Sequence, residues 1–445
     1  MFVVVAVLLA ACSGSQPQSE PADAPAENPE ASVTAPAQAP PIAVSQTPQT
    51  VPDSFEITEG LLLVLDIDGG PTALTIRSRD GEIVTTLSNN SALSNDSATG
   101  YWLPIWAPDA SRVGWAEFAG GGWSLVTANT DGSRRRSSAL PARPDYLTFG
   151  STTSEVLALT PSVDGFGLYR IDTTMNNAPV ELVDLGQPYY FDLSPSGDRV
   201  IGHVGSATRV VSLSDGSVTE LDDTGASYQT PAWHPFADVV FYARTATSDG
   251  GEIIRHDLGS DVATVIATFG TFAFFSVSPT GEHLAVSTFD AGDESETELV
   301  ALSDDPARLG GGLWIIDVAN GDATRLFGDV TLATVWNPIG SSLLTRTAIA
   351  GPGSWRVFDL DGSVTGTPEH EVSPRSLMSF MLQFWDQYMQ GQSTWAPDGT
   401  AFVYTATVSS ATGEDGEDTV FIHDADENGE SRKLASGDMA FFSPR

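Results

Sequence analysis

The sequence predicts an all-β protein, a β-propeller of four-stranded blades, and three observations carry that prediction. A nine-residue motif built around a proline recurs along the chain at the spacing of one blade. Each copy is followed by short β-branched and aromatic runs separated by glycine-containing turns. The two ends of the chain each hold part of one further blade.

The motif reads "IWAPDASRV" from Ile105, "DLSPSGDRV" from Asp192, "AWHPFADVV" from Ala232 and "TWAPDGTAF" from Thr394, with shorter relatives "VSPTGEH", "WNPIGSS" and "FSPR". Aligned on proline, the copies stand at Pro108, Pro195, Pro235, Pro279, Pro338, Pro397 and Pro444, and a degenerate copy, "FGSTTSEVL" from Phe149, puts Ser151 in the proline's place. The steps are 43, 44, 40, 44, 59, 59 and 47 residues, against ~40–45 for a four-stranded propeller blade. The two long steps call for insertions.

Within each unit the motif is a corner piece. A bulky apolar residue (Trp106, Trp233, Trp336 or Trp395) closes the inner strand and packs between blades. Proline then ends the strand by removing a ladder donor, and the Asp, Ser or Gly residues after it turn the chain outward. Runs such as "TRVVSLSDGSVTEL" and "GGLWIIDVANGDATRLF" follow, strands joined by Asp-Gly or Asn-Gly turns where glycine supplies positive φ.

The chain stops just after the eighth copy, "MAFFSPR", an inner strand without a blade, whereas Leu61 to Leu87 offers strands without an inner strand. Joining them completes one blade from the N- and C-terminal strands and removes free sheet edges. The count is then eight blades, or seven if the Ser151 copy is not a true blade. These corners and the later Asp-Gly turns resemble TolB-type, WD-like β-propellers over roughly Gly60 to Arg445. The resemblance implies the fold, and from the Tol–Pal members of that family a protein-binding role. It supplies no catalytic residue.

Composition limits the partners. The formal charge is −38, and only one of the 20 basic residues is a lysine, Lys433. Nucleic acid is excluded as a partner, because a polyanion needs a basic stripe that is missing here. Such acidity fits adaptation to high salt, plain solvation, or capture of cations or a basic partner. The single cysteine, Cys12, rules out an intrachain disulfide. It follows "MFVVVAVLLAA", residues 1–11, an apolar run of signal-peptide length. Leu9-Ala10-Ala11-Cys12 resembles the bacterial lipobox, which implies lipidation of Cys12 and a membrane anchor in the cell envelope. The usual Lys/Arg n-region is missing, which places the true start upstream of Met1. Residues 12–54, rich in Pro, Ala, Ser and Glu, read as a disordered tether, and 55–445 as the propeller.

The insertions hold the candidate working surfaces. Phe289 to Gly312 carries Asp290, Asp293, Glu294, Glu296 and Glu298, a solvated loop or an attractor of cations. Thr367 to Gly391 predicts a helix over about 373–390, with Ser373 as N-cap, Pro374 in the first turn and Gly391 past the end. Leu377, Phe380, Met381, Phe384 and Tyr388 form one apolar stripe, and Met378, Leu382, Trp385 and Met389 an adjacent one. So wide a face lies against the propeller as a plug or strap, or meets a protein partner through Phe380, Phe384, Trp385 and Tyr388, or touches a membrane surface. Tyr101, Trp102, Tyr146, Tyr189, Tyr228 and Phe272 precede the corners and place aromatic residues at the channel mouth, as a ligand site or as seam packing.

Catalytic motifs are scarce. There is no Gly-x-Ser-x-Gly, "HEVSP" at His370 lacks the second histidine of a zinc helix, and "DADENG" from Asp424 has Ala435 where a calcium loop needs glutamate. No metal or cofactor is expected. The expectation is a monomeric, lipid-anchored scaffold of the bacterial envelope with a protein partner and no chemistry of its own. The alternative is an envelope hydrolase or lyase, or a small-ligand or glycan binder, with its site at the central channel.

Overall fold

One backbone bond recurs at every corner between Ala107 and Ala401. The N–H of the residue before the proline donates to the carbonyl five residues on, from Ala107 to Arg112, Ser194 to Arg199 and Ala396 to Ala401, at 2.8–2.9 Å. The copy around Ser151 makes the same bond, Gly150 to Glu155 at 3.0 Å, so it is a true corner and the blade count is eight. The computed structural model describes residues 60–67, 71–89, 100–225, 229–247, 250–289, 306–347, 355–366, 368, 370, 377–408, 417–426 and 429–444. Among them, eight sheets stand as the blades of a propeller.

Each blade runs outward from an inner strand. The inner strands of blades one to six are Gly100–Trp106, Tyr146–Phe149, Tyr189–Leu193, Ala232–Trp233, Ala273–Val277 and Thr331–Trp336. Blade seven departs from the expected four strands: its sheet has three, and the inner position is reduced to single bridges, Trp395 to Phe402 and Ser393 to Phe442. The chain enters it from the helical insertion, and the residues between Tyr388 and Trp395 run as turn and bend with isolated bridges rather than as a strand. Blade eight takes its inner strand, Met439–Phe442, from the C-terminus and the rest, Leu62–Ile67, Pro71–Arg77 and Ile83–Asn89, from the N-terminal side. Leu62 faces Phe442 and Leu65 faces Met439 in an antiparallel register, the expected closure.

Both long steps are explained. The first insertion, part of which lies outside the described residues, sends Ala307–Leu309 across to pair in parallel with Val262–Phe269, a fifth strand on blade four. Asp290 to Glu298 lie outside the described residues. The second insertion forms the helical segment before blade seven. No helix among the described residues is long and apolar enough to cross a membrane.

Adjacent blades are tied by two devices that the motif encodes. The indoles of Trp106, Trp233, Trp336 and Trp395 donate to the carbonyls of Phe441, Asp192, Ser276 and Val335, at 3.1–3.2 Å. Every acceptor stands three residues before the corner proline of the preceding blade. The second device is the left-handed residue of the turn, Ala110, Gly197, Gly281, Gly340 or Gly399, with φ between +58° and +75°. A Cβ on Gly197 would lie 2.1 Å from Ser151 Oγ, and one on Gly281 2.5 Å from the His234 ring, so each glycine seats one corner against the previous one.

Two substitutions separate conformation from crowding. Ala110→Gly removes a left-handed alanine and should raise stability by about 0.5–1 kcal/mol. Gly197→Ala adds both the backbone penalty and the clash with Ser151, and should lower it by about 2 kcal/mol or more. Unfolding midpoints moving in opposite directions are the expected result; a shared sign would contradict the corner assignment.

Candidate functional site

The helical segment fills the channel. It runs as an α-turn at Leu377–Met381, a 3₁₀ step at Leu382–Phe384 and a second α-turn at Trp385–Tyr388, so the expected continuous helix is broken where Phe384 takes φ −126° and ψ 43°. Ser373 and Pro374 lie outside the described residues. Met378, Met381, Leu382, Trp385 and Tyr388 are buried in the same core cluster as Tyr101, Tyr146, Phe191, Val335 and Phe441, which come from the inner strands of five blades. Each such side chain contributes ~1.5–3 kcal/mol of apolar burial.

Polar groups of the plug complete the inner strands. An inner strand turns its free edge toward the channel, leaving N–H and C=O groups that need partners. The Gln387 side chain supplies both for Phe191: its Oε1 accepts from the Phe191 N–H and its Nε2 donates to the Phe191 carbonyl, each at 2.8 Å. Asp386 Oδ2 accepts from the Thr230 N–H at 2.9 Å, and the Tyr388 hydroxyl donates to the Asp145 carbonyl. Asp386 and Gln387, polar remainder in the sequence pattern, are therefore buried because the strands surround the segment on several sides. Of the four side chains expected to meet a partner, Trp385 and Tyr388 are 2% and 4% exposed and beyond a partner's reach while the plug is seated. Phe384 is half-buried, and Phe380, 40% exposed, packs on Phe384 at 5.7 Å between ring centroids.

The aromatic set divides. Tyr101 is buried with its hydroxyl bonded to Ser88 Oγ at 2.8 Å, and Tyr189 is buried and donates to Asp184 at 2.8 Å. Trp102 is half-buried, donates to the Pro144 carbonyl at 2.8 Å and carries the Arg143 guanidinium 4.9 Å above its ring. Phe272 is half-buried, and Tyr228 lies outside the described residues, as does Cys12. Tyr146 meets Tyr388 and Phe191 edge-on at 5.5 and 5.4 Å, so the plug sits on it.

Beside Tyr146 a cavity of about 220 Å³ remains, at the end of the channel where the corners lie. Its rim is exposed Pro108, Ser151, Pro195 and Gln390, and its depth is buried Tyr146, Phe149, Phe191 and Ser194. Asp192 is the one charged residue of the lining. Its Oδ1 accepts from the Leu193 N–H at 2.8 Å and its Oδ2 from the Trp233 N–H at 2.7 Å. Burial pushes this carboxyl up to about 7 despite those two donors, and its charge adds to burial in holding the Tyr146 hydroxyl above its ordinary value. Gly391 closes the site against Tyr146 and Thr148, where a Cβ would come within 2.8 Å of Thr148 Oγ1. No group of three metal-ligating side chains occurs among the described residues.

The aromatic alignment found Tyr146 but missed Asp192, Asp386 and Gln387. For Asp192 a signal was present: three residues before the corner, the eight copies carry Ile105, Thr148, Asp192, Ala232, Ser276, Val335, Thr394 and Phe441, a single charge in the set.

No family model and no curated protein sequence matches the chain. Among solved structures, dihydro-heme d1 dehydrogenase NirN in complex with DHE is similar at TM-score 0.52 and 12% identity, over 87% of this chain and 76% of that one. A eukaryotic initiation factor is similar at TM-score 0.50 and 11% identity, over 87% and 99%. TolB from Acinetobacter baumannii also matches, at TM-score 0.36 and 11% identity over 74% and 78%. At these identities the likeness is one of fold.

The plug has a pH signature. Burial, opposed by the Thr230 N–H, pushes the Asp386 carboxyl up to about 6. Because the folded value exceeds the unfolded one, the stabilisation is full below the unfolded value and is lost as pH rises through the folded value. Relative to Asp386→Asn, the protein should lose on the order of 3 kcal/mol between pH 4 and pH 7; parallel stability curves would refute the burial of an ionisable group there. At fixed pH, Gln387→Leu leaves the Phe191 N–H and C=O unpaired and should cost about 2–4 kcal/mol, whereas Phe380→Ser at the exposed face should change stability by about 0.5 kcal/mol or less.

Proposed function

We propose that the protein is a monomeric, non-catalytic binding module of the bacterial envelope, held to a membrane through lipidated Cys12 and recognising a protein partner at the corner face of its propeller. The observation that carries this reading is the plug. The chain's own segment occupies the channel, and the concave site beside it is a cavity of about 220 Å³, below the ~300–1,000 Å³ common for small-molecule pockets. That size suits one anchoring side chain from a larger partner, with surrounding loops supplying the remaining contact. The lipobox-like Leu9-Ala10-Ala11-Cys12 and the Pro/Ala/Ser/Glu tether support the anchoring.

A second reading, a hydrolase or lyase, is favoured by one observation: a carboxyl pushed up to about 7 is poised for proton transfer at neutral pH. It ranks second because general acid–base chemistry on glycosidic bonds works with a pair of carboxyls, and the lining pairs Asp192 with hydroxyls and rings.

Two measurements test the first reading. Cys12→Ser should move the protein from the membrane fraction to the soluble one and abolish labelling by a fatty-acid analogue; membrane retention would reject the anchor. A photo-crosslinking residue at Ser151 or Pro195 should capture an envelope protein in cells, while the same residue at Phe380 should not. Capture from Phe380 alone would move recognition to the exposed face of the plug.

A further inference from the structure

We infer that the cavity between the corners of blades one, two and three is a binding site for an organic cation, an alkylammonium or guanidinium group, with Asp192 as its counter-charge and Tyr146, Phe149 and Phe191 as its aromatic lining. The inference deepens the proposed function by naming the chemistry of the anchoring group, and it rests on that reading only for the source of the cation.

Three features of the geometry point to a cation. First, Asp192 stands in the cavity without an ion pair: among the described residues no Lys, Arg or His lines the space or bridges to this carboxylate. Asp192 is half-buried, and a carboxylate withdrawn even partly from water is costly unless a positive group joins it. Each oxygen accepts one backbone N–H, at 2.8 and 2.7 Å, which leaves lone pairs on both for a further donor.

Second, the structural work at this position does not need a charge. The Trp233 indole donates to the main-chain carbonyl of Asp192, and Trp336 and Trp395 make the same clasp to Ser276 and Val335, whose side chains are uncharged. The Trp233 N–H would be served by a neutral acceptor as well. An ionisable side chain adds only the ability to take a positive partner or a proton.

Third, the surroundings suit an organic cation better than a hydrated metal ion. Rings, prolines and Leu193 make up much of the wall, and Thr148, Ser151, Ser194 and Gln390 are the remaining polar side chains of the lining. Electron-rich rings beside a carboxylate attract ammonium and guanidinium groups, whereas hard cations take six or more oxygen ligands. The chain's charge of −38 draws cations to the surface, and desolvation raises the Asp192 carboxyl against its two backbone donors, so a cation beside it would favour the charged form.

The test uses the full chain in detergent at low ionic strength, titrated by calorimetry with n-butylammonium and methylguanidinium, with 1-pentanol as neutral control. The expected result is a Kd of about 1 mM or tighter for at least one cation and no binding of 1-pentanol. Two variants locate the site. Asp192→Asn should weaken cation binding at least tenfold. Gln390→Lys, on the exposed rim, puts a tethered ammonium at the cavity and should weaken it at least tenfold while leaving the fold intact, so a folding defect in the first variant does not decide the matter. Equal binding of 1-pentanol, undiminished binding by Gln390→Lys, or no cation binding up to ~50 mM would overturn the inference. The peptide acetyl-Gly-Lys-Gly-amide separates the sources: at least tenfold tighter binding than n-butylammonium assigns the site to a partner's lysine, and equal binding assigns it to a free amine. Failure of the rim crosslink with cation binding intact would reject the protein partner and keep the site.

Discussion

The ring depends on the pairing of Met439–Phe442 with Leu62–Ile67. A propeller held only by sequential contacts is a curved row with two exposed sheet edges, and each edge is a template for pairing with another chain. Four residue pairs, extended by the Ser443 N–H on the Leu61 carbonyl at 2.7 Å and the Asp438 N–H on the Leu65 carbonyl at 3.0 Å, convert the row into a closed circle. The Trp106 indole then crosses the closure to the Phe441 carbonyl, and Gly60 lies close against Pro397. Only in a closed circle do the inner strands face one another, and only then is there a channel for a plug to fill.

Closure raises a second demand. Inner strands present unpaired backbone groups to the axis, and the segment from Leu377 to Tyr388 answers it with side chains, Gln387 for Phe191 and Asp386 for Thr230. This explains a segment that is both highly apolar and studded with buried amide and carboxyl groups: the apolar part fills the volume and the polar part pairs the edges. Function is pushed to what the plug leaves open, the cavity around Asp192 at the corner face.

A tension runs through that cavity. Asp192 ties blade three to blade four through the Trp233 N–H and indole, yet its carboxyl is kept where ionisation is unfavourable. The same burial acts on Asp386 in the plug. Both groups weaken the fold as pH rises through their raised values, and an apolar or amide side chain would avoid that loss. For Asp386 the gain is a bond to the strand edge; for Asp192 the corresponding gain is interaction with a group from outside the fold.

The blade repeat, corner chemistry and closure were set by the sequence alone, because each is local: a period of about 43 residues, a proline that stops a strand, a glycine with positive φ, and strands at the two ends that lack complements. The degenerate corner at Ser151 left eight or seven blades open, and the structure settles on eight, since the turn needs a backbone bond from Gly150 and not the proline itself. The tertiary structure decided everything that depends on which residues meet across the axis. The plug's apolar pattern showed that it must be covered, yet only the ring of strands around it determined that Asp386 and Gln387 turn inward while Phe380 remains exposed. The cavity joins the corners of blades one, two and three to Gln390 and Gly391, residues up to some 280 positions apart. A contact at that separation leaves no period in the chain, so it comes into being only when the circle closes.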